Sequence, residues 1–97
     1  MNYIYIIKCP KDNSVIYVGQ TYKPKVRFST HMSTKSNAPI SVYIRGLKSE
    51  GLKPLFEIVK EIPLTVRGMA QTNKYEQILI KQYKSEPNSR ILNRYLI

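Results

Sequence analysis

Tyr3-Ile4-Tyr5-Ile6-Ile7-Lys8 and Val15-Ile16-Tyr17-Val18-Gly19, with Pro10-Lys11-Asp12-Asn13-Ser14 between them, decide the reading of this chain. The first stretch alternates tyrosine with isoleucine, the period-two pattern of a strand rich in aromatic and β-branched side chains. The polar stretch collects turn formers between two apolar runs. A β-hairpin is therefore predicted, with residues 3–8 and 15–19 as its strands and Gly19 at its end, where positive φ or a close backbone approach is tolerated.

Beyond the hairpin, Pro24 suits the first turn of a helix, and residues 24 to about 33 carry Val26, Arg27, Thr30 and His31 at helical spacing. Arg27 and His31 stand one turn apart and share a face. Ser36-Asn37-Ala38-Pro39 repeats the start signal with Asn37 as N-cap. The helix from about 39 to 49 then carries Val42, Tyr43 and Leu47 as its apolar stripe until Gly51 ends it. Leu55 to Ile62 alternates as a third strand closed by Pro63. From Val66 or Met69 to Tyr83, the residues Met69, Asn73, Glu76, Ile80 and Tyr83 fall near one helical face, with Leu79 beside it. Glu86-Pro87-Asn88-Ser89 breaks the chain, and Ile91-Leu92-Asn93 brings apolar side chains back to dock. The order ββααβα predicts an α/β (α+β) layer fold, and 97 residues suit a single domain over 1–97.

Sixteen Lys and Arg against six Asp and Glu give a net charge of +10, spread from Lys8 to Arg94 and interleaved with eight tyrosines. Phosphate neutralisation supplies most sequence-independent affinity for nucleic acid and aromatic rings stack on bases, so the composition points to a polyanionic partner. A hydrophobic content of 42% sets the chain apart from a disordered basic tail. The longest apolar runs fall far short of the roughly 20 residues that cross a bilayer, and Met1-Asn2-Tyr3 does not read as a signal peptide, so no membrane association is expected. The expected location is cytoplasmic, in a bacterial or phage-infected cell, or associated with the nucleoid. With Cys9 the only cysteine and His31 the only histidine, neither a disulfide framework nor a Cys/His zinc cluster can be built from this chain alone. Cys9 reads as a small apolar residue at a strand end.

Ile4-Tyr5 on the first strand, Tyr17-Val18-Gly19 on the second, then Arg27, His31, a helical Glu76 and a late Asn93 resemble the GIY-YIG nuclease domain. The resemblance spans nearly the whole chain in the family's order, including the step from Tyr17 to Arg27. It implies a three-stranded antiparallel sheet flanked by helices and a DNA endonuclease that hydrolyses phosphodiester bonds with one divalent ion, Mg²⁺ or Mn²⁺, per active site. Carried over by position, Tyr5 and Tyr17 handle the proton, Arg27 binds the scissile phosphate and Glu76 holds the metal. His31 and Asn93 support the site beside Gly19 of the second motif, and Asn37, otherwise accounted for as an N-cap, is a further polar candidate near it. Two residues depart from the pattern: Tyr3 stands where the first motif has glycine, and Gln20 stands where a lysine is often seen after Gly19.

The chemistry of each residue type fits its assigned role. Phenols have pKa values near 10, so a tyrosine base needs nearby positive charge. Arg27 offers a planar, permanently charged fork for phosphate oxygens, and His31 can relay a proton near neutral pH. Hard ions such as Mg²⁺ take one or two carboxylates and complete their shell with water and phosphate. The remaining acids, Asp12, Glu50, Glu57, Glu61 and Glu86, lie in turns or on a strand without a two-metal spacing. The alternative for Glu76 is an ordinary helix ion pair with Lys74 or Lys81. Two classes stand against each other: an endonuclease acting on double-stranded DNA with low intrinsic sequence specificity, and an inactive nucleic-acid-binding module of the same fold. With little chain left over for target reading, a homodimer or a larger assembly would have to supply recognition.

Overall fold

The computed structural model describes residues 1–33, 35–63, 65–85 and 91–92; the side chains of Val66 and Met69 lie outside that description. Its elements follow the expected order: β1 (Asn2–Lys8), β2 (Val15–Thr21), α1 (Pro24–Ser33), α2 (Pro39–Ser49), β3 (Leu55–Ile62) and α3 (Val66–Lys84). The sheet is antiparallel with β1 in the middle, in the order β2-β1-β3. This is the predicted α+β fold.

The hairpin turn is set by its own side chains. The Asp12 carboxylate accepts hydrogen bonds from the Ser14 N–H at 3.0 Å and the Ser14 hydroxyl at 2.7 Å, and Asn13 takes the left-handed conformation at φ 61. Cys9 N–H donates to the Ser14 carbonyl at 2.9 Å, closing the loop. Cys9 is buried and unpaired with any other cysteine, as expected for a small apolar residue at a strand end.

Alternation along β1 divides the core. Tyr5 and Ile7 face one side with Ile16, Ile40 and Ile44, where Phe28 and Met32 of α1 also pack; Ile4 and Ile6 face the other with Val18, Ile62 and Ile80 of α3. Thus α1 and α2 cover one face of the sheet and α3 covers the other. Bulges interrupt both ladders, between Ile7 and Lys8 opposite β2 and between Ile4 and Tyr5 opposite β3. The second leaves Val59 as the extra residue, so Phe56 packs with Tyr5 while Val59 packs with Ile4 and Ile6.

Three local expectations are corrected. Gly19 does not end its strand: β2 continues through Gln20 to Thr21, because both residues still pair with β1. Asn37 is not the N-cap of α2. Ala38 holds that position without a side-chain hydrogen bond, because Pro39 sits in the first turn and the helix begins directly on it. Val42 is half exposed, and the stripe that α2 buries is Ile40, Ser41, Ile44 and Leu47, which repeats at helical spacing one position away. Near the end of the chain, Leu92 N–H donates to the Ile16 carbonyl at 2.7 Å and Ile91 and Leu92 pack on opposite core clusters, as their apolar character predicts. The break at Glu86-Pro87-Asn88-Ser89 lies outside the described residues. Among the described residues no helix is long and apolar enough to cross a membrane.

The placement of α3 depends on its first turn. Thr65 is the N-cap in extended conformation, and its hydroxyl accepts from Gly68 N–H at 2.9 Å. Any Cβ on Gly68 would collide with the carbonyl oxygen of Pro63, so the helix can lie this close to the end of β3 only because residue 68 is glycine. Thr72, fully buried, donates its hydroxyl to the Gly68 carbonyl at 2.8 Å. Gly68→Ala is expected to destabilise the domain by about 1–3 kcal/mol, despite alanine's better helix propensity, as measured by urea unfolding.

Candidate active site

Tyr5 is completely buried at the centre of the sheet, and its cross-strand partner is Gly19. A Cβ on Gly19 would stand 2.5 Å from the Tyr5 hydroxyl oxygen and equally close to its ring, so the phenol occupies the space a side chain would fill. The close approach foreseen for Gly19 is therefore real, and its partner is an aromatic ring; positive φ plays no part.

Lying across Gly19, the Tyr5 hydroxyl reaches α1, where it is 2.7 Å from His31 Nε2. The rings of Tyr5, Tyr17 and His31 form a cluster, with Tyr17 and His31 centroids 5.6 Å apart and Tyr5 and Tyr17 6.3 Å apart. Phe28 meets Tyr5 edge-on and stacks on Phe56 at 4.4 Å, closing the apolar side of the cluster. His31 is the one residue of α1 that is buried; Arg27, a turn earlier, is exposed, and its guanidinium still reaches the Tyr5 hydroxyl.

The electrostatics distinguish the groups. Burial pushes the Tyr5 phenol well above its usual value, helped by Tyr17 and by the Glu76 carboxylate; Arg27 opposes this without overcoming it. Tyr5 is therefore a neutral phenol at physiological pH in the presence of Arg27. His31 is pulled down to about 4 by burial first and by Arg27 second, so its imidazole is neutral with a free lone pair near pH 7.

Glu76 lies on the buried face of α3 with only 4% of its surface exposed. Burial raises its pKa, with a Gln20 hydrogen bond opposing the rise. Its Oε2 is buried and has no hydrogen-bond partner among the described residues. The alternative ion pair with Lys74 or Lys81 is not formed; the ion pairs among the described residues join Lys8 to Glu57 and Lys11 to Glu50. A buried carboxylate oxygen with nothing to accept from is costly unless a cation or proton meets it. The donor chemistry thus fits one hard divalent ion, with Glu76 as its protein ligand. No group of three or more His, Cys, Asp or Glu side chains that could hold a metal ion converges among the described residues.

Tyr5, Tyr17, Gly19 and His31 are therefore in direct contact, and the charges of Arg27 and Glu76 both act on the Tyr5 hydroxyl. Asn37 is exposed in the connection ahead of α2. Asn93 lies outside the described residues. Sequence reasoning passed over Asn2, Phe28 and Phe56 and treated Gln20 only as a lost charge. Gln20's position directly after Gly19 on β2 was the available signal, because strand alternation points it away from the Tyr5 side and toward α3.

The low pKa of His31 has a measurable consequence. The unfolded chain takes up a proton near pH 6.5 and the folded chain only near 4, so the contribution of His31 to stability is present above 6.5 and is lost as pH falls through that window. NMR titration of the imidazole is expected to show a midpoint close to 4, and Arg27→Gln is expected to raise it. A midpoint at or above 6.5 in the wild type would contradict this arrangement.

The family model of the GIY-YIG catalytic domain matches residues 1–90. No curated protein and no solved structure matches the chain. Domains of this kind are generally nucleases that act on nucleic acid and typically use a divalent metal. With the match covering nearly all of its length, the chain belongs to the GIY-YIG catalytic domain family.

Proposed function

We propose that this chain is a metal-dependent endonuclease that hydrolyses phosphodiester bonds in double-stranded DNA, with one Mg²⁺ or Mn²⁺ held by Glu76. The observation that carries this reading is the partnerless buried Oε2 of Glu76, set close enough to the Tyr5 phenol to raise its pKa. Charge distribution supports DNA as the substrate. Between Asp12 and Glu50 there is no acidic residue, while Lys23, Lys25, Arg27, Lys35, Arg45 and Lys48 fall in that interval. It builds β2, α1 and α2, so the layer bearing Arg27 and His31 is purely cationic, whereas Glu57 and Glu61 lie on β3 at the far edge of the sheet.

When bound, the cation acts as a Lewis acid toward the phosphate oxygens. Arg27, exposed and permanently charged, grips a non-bridging oxygen and stabilises the charge that grows as water attacks phosphorus. The Tyr5 hydroxyl passes its proton to His31 Nε2 while its oxygen takes one from the attacking water, and no free phenolate forms. The water oxygen bonds to phosphorus as the ester phosphorus–oxygen bond breaks; the leaving alkoxide takes a proton from solvent, and His31 returns its own to solvent. The half-buried Tyr17 flanks both rings and holds their orientation.

Binding through phosphates implies low intrinsic sequence specificity and strong salt dependence. Target choice then falls to a second copy or to a larger assembly.

Plasmid nicking by the purified chain tests the reading. Cleavage is expected with Mg²⁺ or Mn²⁺, to vanish with EDTA, and to fall by about 100-fold or more in Arg27→Ala and Glu76→Gln. Equal residual cleavage by wild type and Glu76→Gln would leave only a nucleic-acid-binding module. Glu76→Gln is also expected to melt at a higher temperature than the metal-free wild type at neutral pH. The raised pKa means that the buried carboxylate weakens the fold as pH rises through it, and the amide does not ionise.

A further inference from the structure

Three carboxamides from three different elements meet beside Glu76. Asn2 of β1, only 6% exposed, donates its Nδ2 to Gln20 Oε1 of β2 at 3.1 Å. Gln20 Nε2 donates in turn to Asn73 Oδ1 of α3 at 2.7 Å. An amide nitrogen carries two hydrogens, and Asn73 uses one of them. Asn73 precedes Glu76 by one helical turn on neighbouring positions of the same face, so the Gln20 carboxamide it holds stands beside the carboxylate, on whose ionisation it acts. We infer that Gln20 is a positioning residue for Glu76: clamped by Asn2 and Asn73, its carboxamide holds one carboxylate oxygen and leaves Oε2 presented to the divalent cation.

Of the two Glu76 carboxylate oxygens, only Oε2 is both buried and without a partner among the described residues. Gln20 is the hydrogen-bonding neighbour that works against the carboxylate's desolvation. A neutral donor at this position also differs from the lysine often seen after the glycine. It orients the carboxylate without placing a second positive charge where the cation must bind. The chain Asn2–Gln20–Asn73 further ties α3 to the hairpin, one helical turn ahead of Glu76. Residues that orient a metal ligand through hydrogen bonds commonly change metal affinity by 10–100-fold when replaced.

This inference rests on Glu76 as the cation's ligand, and the test separates the two. Mn²⁺ binding to the full chain without DNA is measured by calorimetry and by electron paramagnetic resonance for wild type, Gln20→Met, Asn73→Ala, their double variant and Glu76→Gln, with thermal melts as a fold control. Gln20→Met keeps length and contour but donates nothing, and is expected to weaken Mn²⁺ binding by roughly 10-fold or more. Asn73→Ala, at an exposed position that tolerates alanine, is expected to weaken it severalfold. The double variant is expected to bind no more weakly than Gln20→Met alone, because Asn73 acts only through Gln20. Wild-type affinity in Gln20→Met, or fully additive losses in the double variant, overturns the inference. If Glu76→Gln abolishes binding while Gln20→Met binds like wild type, the reading of Glu76 stands and the positioning role alone falls. If Glu76→Gln binds like wild type, both fall.

Discussion

The close packing of Tyr5 against Gly19 is the constraint on which the site depends. A wholly buried tyrosine on a central strand needs somewhere for its hydroxyl to go, and the missing side chain opposite supplies that space. Through it the hydroxyl leaves the core and meets His31, which joins the hairpin to α1 by a buried polar contact. Shape and hydrogen bonding here support one another. The glycine permits the tyrosine's path, and the histidine gives its polar end a partner, so neither is costly to bury.

Around that contact, burial is the largest influence on each ionisable member. It keeps Tyr5 protonated against the opposing pull of Arg27, keeps His31 neutral with Arg27 acting in the same direction, and makes Glu76 harder to ionise than a solvated carboxylate. The cluster thus carries little charge within a highly charged protein. The energetic cost of keeping Glu76 dry and unpaired is a local frustration of the kind found where function outweighs stability.

Much of this was legible from residue order. The tyrosine–isoleucine alternation placed β1, the proline and N-terminal signals placed α1 and α2, and the bounds of β3 read directly from Leu55 to Ile62 because Pro63 closes it. Arg27 and His31 could be assigned a common helical neighbourhood from spacing alone. What spacing could not convey was depth. It did not distinguish Tyr5, which is sealed, from Tyr17, which is half-buried, and so could not show that one phenol is held neutral. It also missed the carboxamide chain, since Asn2, Gln20 and Asn73 are brought together by strand pairing and helix docking across most of the sequence. Asn37 misled because a good capping residue was offset by one position from the helix start that Pro39 imposed. Gly68 gave no pattern, because its reason is a neighbouring carbonyl and not its own conformation.

The strand order β2-β1-β3 separates the two halves of the machinery along the chain. The hairpin, α1 and α2 carry the guanidinium, the phenols, the imidazole and the cationic layer, while the carboxylate arrives only with α3, after the third strand has docked on the far side of β1. In the nuclease proposed for this chain, affinity for a polyanion and the capacity to cut it would consequently be encoded in different stretches. A lesion in β3 or in the first turn of α3 would then uncouple them, leaving a protein that merely occupies its substrate.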